Sequence, residues 1–315
     1  MMNAQAEVAF AGYVVISTRC NLRQGAPSGT APVIRKVESG TVLVITAMAV
    51  GDEIQGNAIW YRVVDGSYVW SGGCGEAQAG SAPIATAPPS AVPPPIAVTL
   101  PSGAGGIVPN VVDIYHGDNV TSFVQARNAG VLGVIHKATT GATGRDDFYK
   151  TRRALAAAAG LLWGAYHWGT AAAADLQVEN FLSWAEPDAN TLVALDFESS
   201  AGNQMSLGRA KEFLSLIEER LGRKAVLYSG NTLKEALGTS IDAFFGQHRL
   251  WLAQFSAVPQ AQASWNAPWL WQFTSGKADD RNRRIVSGMP GNAAGELDCN
   301  NYKGDVATLQ AEWAS

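Results

Sequence analysis

Short runs of β-branched and aromatic residues alternate with polar turns over the first quarter of the chain. The runs are GYVVIST, VIRKV, TVLVITAMAV, IWYRVVDG and SYVWSGG, and none shows helical periodicity. Asp65 and Gly66 separate the last two runs, and Asp-Gly is a preferred two-residue hairpin turn. Residues 8–77 are therefore predicted to form a small all-β barrel of about five strands.

The next segment has a different composition. Residues 78–106 consist almost throughout of Ala, Pro, Ser and Gly. Because proline fixes φ and removes a hydrogen-bond donor, this segment is predicted to be an extended, semi-rigid linker between two domains.

From residue 107 to residue 315, strand-like apolar runs alternate with helical patterns. Runs such as GVIHKA, TLVALDFE and KAVLYS are separated by amphipathic stretches such as RAKEFLSLIEERLG. This alternation predicts a mainly parallel sheet covered by helices. About seven or eight strands within about 200 residues favour an α/β fold, a modified (β/α) barrel related to the TIM barrel, with irregular last units. An open doubly wound sheet is the competing fold, but no GxGxxG motif follows the first strand.

Composition and charge exclude several classes of function. The net charge is −4 and there is no long Lys/Arg run, so no nucleic-acid partner is expected. No apolar stretch approaches the ~18 residues that a membrane span needs, so none is expected. The first residues, MMNAQAEVAF, lack a basic region followed by an apolar one. We therefore expect synthesis in the cytoplasm without a recognisable signal peptide.

The cysteines do not suggest a disulfide framework or a metal site. There are three, Cys20, Cys74 and Cys299, and they form no CxxC pair or zinc-like spacing with histidine. A bridge between Cys20 and Cys74 and two free thiols are both compatible with the sequence. Cys299 is predicted to be a small buried residue.

The strongest chemical feature is Asp196-Phe197-Glu198 at the end of the apolar run TLVALDFE. On a strand, residues i and i+2 face the same side, with Cα atoms ~6.5 Å apart. A carboxylate pair at the carboxyl end of a barrel strand suits glycoside hydrolysis, in which one acid protonates the leaving oxygen and the second group attacks or stabilises the anomeric carbon. Alone, the motif is equally compatible with a metal site, an ion pair or a solvated loop.

Polar and aromatic side chains stand at the ends of the other predicted strands as well. Barrel enzymes collect their sites at this edge, and an ordered series is hard to explain by core packing alone. In chain order the series is Asp113, Lys137, Tyr166, His167, Tyr228, Trp251, Gln254, Gln272, Asp298 and Asn300. For His167, a place in the cleft and a structural, hydrogen-bonded role are both open. His116, His136 and His248 are predicted to be structural or exposed.

This ordered set resembles the glycoside hydrolase family 25 lysozymes, also called Chalaropsis-type muramidases, over residues 110–310. The motifs that carry the resemblance are Asp113, Lys137-Ala138-Thr139, Tyr166-His167-Trp168, Asp196-Phe197-Glu198, Tyr228, Trp251-Leu252-Ala253-Gln254, Trp271-Gln272 and Asp298-Cys299-Asn300. The sequence departs from the family at Tyr115, where Ser is common, at Thr140, which replaces an acid, and at Phe255, which replaces Tyr. These departures bear on subsite preference.

The resemblance implies a reaction and roles for these residues. The reaction is hydrolysis, with retention, of the β-1,4 bond between N-acetylmuramic acid and N-acetylglucosamine in peptidoglycan, without a metal or other cofactor. Glu198 matches the general acid. Asp196 matches its partner, either as nucleophile or by steadying the substrate acetamido group during neighbouring-group attack. Asp113 and Asp298 match flanking catalytic acids, and the rest of the series is implied to bind substrate. A non-catalytic glycan-binding barrel and a hydrolase of chitin-like glycan are the alternatives.

The first domain has a resemblance of its own, to bacterial Src-homology-3-like domains. It rests on the segments CNLRQGAPS from Cys20, PVI from Pro32, WYRV from Trp60 and GSYVW from Gly66. Such domains often hold cell-wall enzymes on peptidoglycan, which implies a cell-wall ligand, and a spacer without a ligand is the alternative. The whole chain is then expected to act at the cell wall or in the periplasm, released by a holin, by lysis or by a secretion system, as a phage lysin or an antibacterial effector.

Overall fold

A computed structural model describes residues 7–79, 109–280 and 282–315. The chain separates into two compact units between residues 96 and 97. Most of the predicted linker, residues 80–106, lies outside the described residues.

The first unit is an all-β sheet. Its order is β3-β2-β6-β5-β4-β1-β7, and neighbouring strands pair antiparallel. The strands are Glu7–Val15 (β1), Cys20–Arg23 (β2), Val33–Val37 (β3), Val42–Ile54 (β4), Asn57–Val63 (β5), Tyr68–Trp70 (β6) and Gln78–Ala79 (β7). The residues of β7 are the first two of the predicted linker.

The Asp65-Gly66 turn joins β5 to β6, as the sequence predicts. Gly66 has φ 80°, a left-handed conformation that glycine adopts without steric cost. Oδ1 of Asp65 accepts hydrogen bonds from the backbone N–H and the hydroxyl of Ser67. Cys20 and Cys74 are free thiols in this unit, and burial raises the pKa of Cys74 to about 12.

The second unit is a closed barrel of eight strands, which confirms the predicted α/β barrel and excludes the open doubly wound sheet. The nine-stranded sheet runs in the order β10-β9-β11-β12-β13-β14-β15-β16-β8, and β8 pairs back to β9 to close it, leaving β10 as a side hairpin. The strands are Val111–Ile114 (β8), Gly133–Thr140 (β9), Gly144–Arg145 (β10), Leu162–Trp168 (β11), Leu192–Asp196 (β12), Val226–Ser229 (β13), Leu250–Ala253 (β14), Leu270–Thr274 (β15) and Asp298–Asn301 (β16).

The barrel strands are parallel except for the last. β16 runs antiparallel to both of its neighbours, β15 and β8. Its first residue therefore lies at the same edge of the barrel as the last residues of the parallel strands.

Helices cover the outside of the barrel. They are Phe123–Asn128 (α1), Tyr149–Ala158 (α2), Ala174–Ala185 (α3), Leu207–Leu221 (α4), Asn231–Leu237 (α5) and Val306–Glu312 (α6). The longest, α4, begins where the Ser206 side chain accepts from the N–H of Arg209, and it ends at Gly222, which is left-handed with φ 68°. Among the described residues, no helix is both long and apolar enough to cross a membrane.

Along each barrel strand, side chains point alternately into the barrel and toward the helices outside it. This alternation produces one apolar layer inside the barrel and one between the barrel and the helices. In β12, Leu192 and Ala194 belong to the cluster that fills the barrel, whereas Val193 and Leu195 pack with Phe181 of α3 and Phe213 of α4 on the outside. Because side chains on a strand alternate, the next position that points toward the barrel axis is Asp196, at the end of the strand.

Candidate active site

A pocket lies at the carboxyl end of the barrel, where the parallel strands end and β16 begins. It combines four carboxylic acids with four aromatic side chains. The lining residues are Asp113, Tyr166, Trp168, Asp196, Glu198, Tyr228, Trp251 and Asp298. The barrel register places Asp113 and Asp298 opposite each other on the antiparallel pair β8 and β16.

Asp196 and Glu198 lie at the end of β12 and just beyond it. Asp196 is 4% exposed, and its Oδ1 has no hydrogen-bond partner among the described residues. Burial raises the pKa of Asp196 well above its usual value, the negative charge of Glu198 raises it further, and the positive charge of Lys137 opposes both. Glu198 is less buried, and burial raises the pKa of its carboxyl too. Both acids therefore resist ionisation.

Asp113 is held by side-chain amides. The Nε2 of Gln272 lies 3.0 Å from each of its carboxylate oxygens, and the Nδ2 of Asn300 donates to Oδ1 at 2.7 Å. Burial raises the pKa of Asp113 to about 7 although these donors oppose the shift. Burial and the charge of Asp113 raise the pKa of Asp298 well above its usual value.

Aromatic rings form a continuous wall beside the acids. The rings of Tyr228 and Trp251 lie 4.4 Å apart between centroids, and Tyr166 meets Trp251 edge-on at 6.4 Å. The Nζ of Lys137 lies 4.6 Å from the ring centroid of Trp168. Rings of this kind can pack against the apolar face of a sugar while their polar atoms bond to neighbouring groups.

His167, predicted as a substrate-binding residue or a structural one, lies away from the pocket. It is fully buried on the outer face of β11, where its ring stacks on Phe213 at 4.8 Å. Its Nδ1 meets the Thr139 hydroxyl at 2.7 Å and its Nε2 meets Oε1 of Gln177 at 3.0 Å. Since Tyr166 faces inward, its neighbour on the strand faces outward, so the geometry gives His167 a structural position.

Gln254 also lies outside the pocket lining, as do the predicted residues Lys137, Gln272 and Asn300. It follows β14, and its Oε1 accepts from the Nζ of Lys234 at 3.2 Å and from the N–H of Gln260 at 2.8 Å. Its side chain thus holds the loop that follows β14.

Trp168 is a pocket residue that was not among the predicted site residues. The sequence contained a signal for it, because Trp168 lies two residues after Tyr166 on β11 and so shares its face.

Among residues 7–79, 109–280 and 282–315, no group of three or more His, Cys, Asp and Glu side chains is arranged to hold a metal ion. The titratable groups that line the pocket are four carboxyl groups and two tyrosine hydroxyls.

Comparison with known proteins agrees with this chemistry. The model of the family described as glycosyl hydrolases family 25 matches residues 112–280, a range that includes Asp113, Asp196 and Glu198 and ends before Asp298. Lysozyme M1 of Streptomyces globisporus is 22% identical over 218 residues, which cover 64% of this chain and 69% of that protein.

Solved structures are similar over the barrel. A bacterial lysozyme from Streptomyces coelicolor superposes with a TM-score of 0.58 at 21% identity and covers 67% of this chain and 99% of that one. A muramidase from Trichobolus zukalii superposes with a TM-score of 0.54 at 25% identity and covers 64% of this chain and 97% of that one.

Proposed function

The chain belongs to glycosyl hydrolases family 25, and on this premise we propose that its barrel cleaves the β-1,4 bond between N-acetylmuramic acid and N-acetylglucosamine in peptidoglycan, with retention. The observation that carries the proposal is the pair Asp196 and Glu198, two acids of raised pKa on one face at the end of β12. Relatives named lysozyme and muramidase support peptidoglycan as the substrate.

Glu198 is the proton donor in this proposal. A general acid must be protonated at working pH and must reach the leaving oxygen. Burial raises the pKa of Glu198, which favours the protonated form, and its carboxyl is the less buried of the pair. Raising the pKa of one carboxyl by an apolar environment is the general way in which such an acid works near neutral pH.

Asp196 is the partner of Glu198. Its buried Oδ1 lacks a hydrogen-bond partner among the described residues, which costs about 1–3 kcal/mol for a typical polar group. The N–H of a substrate acetamido group would satisfy this oxygen, and this supports neighbouring-group attack over direct attack by Asp196. Both routes retain configuration at the anomeric carbon, because each proceeds through two displacements.

The remaining pocket residues hold the sugars in this proposal. Tyr166, Trp168 and Trp251 offer aromatic faces, and Lys137 places a positive charge beside the two acids. Asp113 and Asp298 border the pocket from the opposite side of the barrel.

We also propose that the first unit is a Src-homology-3-like domain that binds the cell wall. Its support is the all-β sheet together with the sequence segments that resemble such domains. On this proposal the protein acts at the cell wall, as a phage lysin or as an antibacterial effector.

Mass spectrometry of fragments released from purified peptidoglycan tests the enzyme proposal. The wild-type protein should release fragments with reducing N-acetylmuramic acid ends, and Glu198→Gln should reduce the rate by about 10²- to 10⁴-fold, the usual contribution of a general acid. The matched control is Glu212→Gln on the exposed face of α4, which should behave as wild type.

Two outcomes would contradict this proposal. Wild-type rates in Glu198→Gln would remove that residue from the mechanism. No release by either protein would favour a binding barrel or another glycan, and cleavage of chitin oligomers would then identify the second.

A further inference from the structure

A chain of buried hydrogen bonds outside the barrel joins β9, β11 and α3, and the direction of each bond can be deduced. The backbone N–H of Thr170 can only donate, and it lies 2.9 Å from Oε1 of the fully buried Gln177. The Nε2 of the same amide donates to the backbone carbonyls of Thr170 at 3.1 Å and Ala172 at 2.8 Å. The Gln177 amide therefore has one orientation, in which Oε1 is the acceptor.

This orientation determines where His167 carries its hydrogen. Oε1 of Gln177 faces the Nε2 of His167 at 3.0 Å, so Nε2 must be a donor. Burial lowers the pKa of His167 to about 4, so the ring is neutral near neutral pH and its Nδ1 has a free lone pair. The Thr139 hydroxyl, 2.7 Å from Nδ1, is then the donor to it. His167 is thus held as the neutral Nε2–H tautomer.

The Gln177 oxygen binds the chain on both sides of a short segment that belongs to the pocket. His167 precedes Trp168 and Gly169, and Thr170 follows them. Trp168 lines the pocket. The N–H of Gly169 donates to the carbonyl of Asp196 at 3.0 Å. The two bonds to Gln177 therefore hold the backbone segment that binds the end of β12.

Asp196 depends on this backbone contact for its position. The Oδ1 of its carboxyl is buried and has no hydrogen-bond partner among the described residues, so no such bond fixes that oxygen. The segment also packs closely on β12, because a Cβ added at Gly169 would lie 3.2 Å from the Asp196 carbonyl oxygen and 2.9 Å from Sδ of Met205. A shift of the segment would therefore displace Asp196.

We propose that Gln177 and His167 are positioning residues, which place Asp196 for the reaction by holding the backbone of Trp168 and Gly169. The inference rests on the proposed role of Asp196 as the partner of Glu198. It gives His167 a part in the reaction without contact with the substrate, whereas the family resemblance implies that this residue binds substrate.

Two substitutions at His167 separate the hydrogen bond from ring packing. The ring also stacks on Phe213 at 4.8 Å, so a purely structural role would depend on that packing. His167→Phe keeps an aromatic ring but removes the bond to Gln177. His167→Gln removes the ring but can place an amide N–H near the position of Nε2. The proposal expects the glutamine variant to be the more active of the two, and packing alone predicts the reverse.

The kinetics of cleavage of soluble peptidoglycan fragments measure this order. In His167→Phe, kcat should fall about 10-fold with KM within about threefold of wild type, because a displaced Asp196 weakens the transition state more than the bound substrate. His167→Gln should retain kcat and KM within about threefold of wild type. A wild-type kcat in His167→Phe, or a His167→Gln variant no more active than His167→Phe, would overturn the proposal.

Asn110→Ala is the matched control for lost stability. Asn110 lies at the amino end of β8, opposite the pocket, and its side chain bonds to the backbone of Tyr302. Below the melting transition of every variant, Asn110→Ala should keep the wild-type kcat although it is less stable. A fall in its kcat as large as that in His167→Phe would mean that lost stability lowers the rate, and the proposal would fail.

NMR of the wild-type protein is a second measurement, which needs neither a variant nor turnover. ¹⁵N spectra of labelled histidine should show one neutral ring with its hydrogen on Nε2 and a bare Nδ1. The signature is distinctive, because in the other three histidines Nδ1 faces a carbonyl or carboxylate oxygen, to which it donates: His116, His136 and His248. Spectra without a bare Nδ1 would overturn the proposal.

The proposed function and the positioning role fail in different ways. An inactive wild type or an active Glu198→Gln would contradict the function, and the role of Asp196 with it. An active His167→Phe in a protein that cleaves peptidoglycan would contradict the positioning role alone. Calorimetry verifies that each variant unfolds cooperatively. If a His167 variant does not fold, Thr139→Val and Thr139→Ser replace the pair, since only serine keeps the donor to Nδ1, and equal kcat values in these two would overturn the proposal.

Discussion

At the scale of residues, the pocket gathers four carboxylic acids that the fold keeps from ionising freely. Burial raises the pKa of Asp113, Asp196, Glu198 and Asp298. A carboxyl with a folded-state pKa above its unfolded value adds stability below the unfolded pKa, and this stability is lost as pH rises through the folded pKa. The acids therefore cost stability at neutral pH, as expected where function and stability conflict.

Asp298→Asn should relieve part of this cost. Because Asn carries no charge, the variant should melt about 2–4 °C higher than wild type near about pH 8. The gain should shrink near about pH 4, where the folded-state carboxyl is protonated and the unfolded-state carboxyl is about half protonated. Calorimetry at both pH values measures it, with the exposed Asp147→Asn as control. An equal gain at both pH values would mean that ionisation of Asp298 is not the cause.

The period of two along a strand predicted much of the site at this scale. It placed Asp196 and Glu198 on one face, and the structure has both in one pocket. The same period, applied to β11, separates Tyr166 from His167, whereas the family motif names them together. The side-chain hydrogen bonds of Gln272 were beyond prediction, because their partners are Asp113 and Tyr228, which the sequence does not show to be its neighbours.

At the scale of elements, the barrel closes through an antiparallel strand. Alternating strands and helices predicted a mainly parallel sheet, and this holds from β8 to β15. A parallel return needs a crossover, usually a helix. Between β15 and β16 the described residues of 275–297 form no helix, and β16 returns antiparallel. The sequence indicated irregular last units because its helical pattern stops there, but strand direction depends on the path of that loop.

The side chain of Asn110 binds the backbone just after β16, the strand that closes the barrel, and Asn110→Ala should lower the stability of the barrel. Its side chain donates to the carbonyl of Tyr302 and accepts from the Tyr302 N–H, both at 2.8 Å and both buried. Losing both bonds leaves two backbone groups without partners, at a cost of about 2–3 kcal/mol. The melting temperature should fall by roughly 5–10 °C in calorimetry. Asn128→Ala, exposed at the end of α1, is the control. A melting temperature equal to that of wild type would show that water replaces these bonds.

At the scale of the whole molecule, each unit has an apolar core of its own. Val14, Leu22 and Ile45 lie in the core of the first unit, and Leu192 and Val226 lie within the barrel of the second. The pocket is built from barrel residues alone. Composition predicted this division, because a Pro- and Ala-rich segment separates two different hydrophobic patterns. The ligand of the first unit did not follow from its pattern, since a small β fold accommodates many surfaces.

Deleting residues 1–80 should separate binding from cleavage. Two linked modules on one polymer gain affinity from effective concentration, so loss of the first should weaken binding to whole sacculi by about 10²-fold. The kcat/KM for soluble peptidoglycan fragments should not change, because every pocket residue remains. Pelleting with sacculi and release of reducing ends measure the two quantities on the same preparations, and the full chain is the reference. If the deletion abolished cleavage of soluble fragments in a barrel that still melts cooperatively, the first unit would have to contribute to catalysis. If binding to sacculi were unaffected, the barrel alone would hold the wall and the first unit would be a spacer.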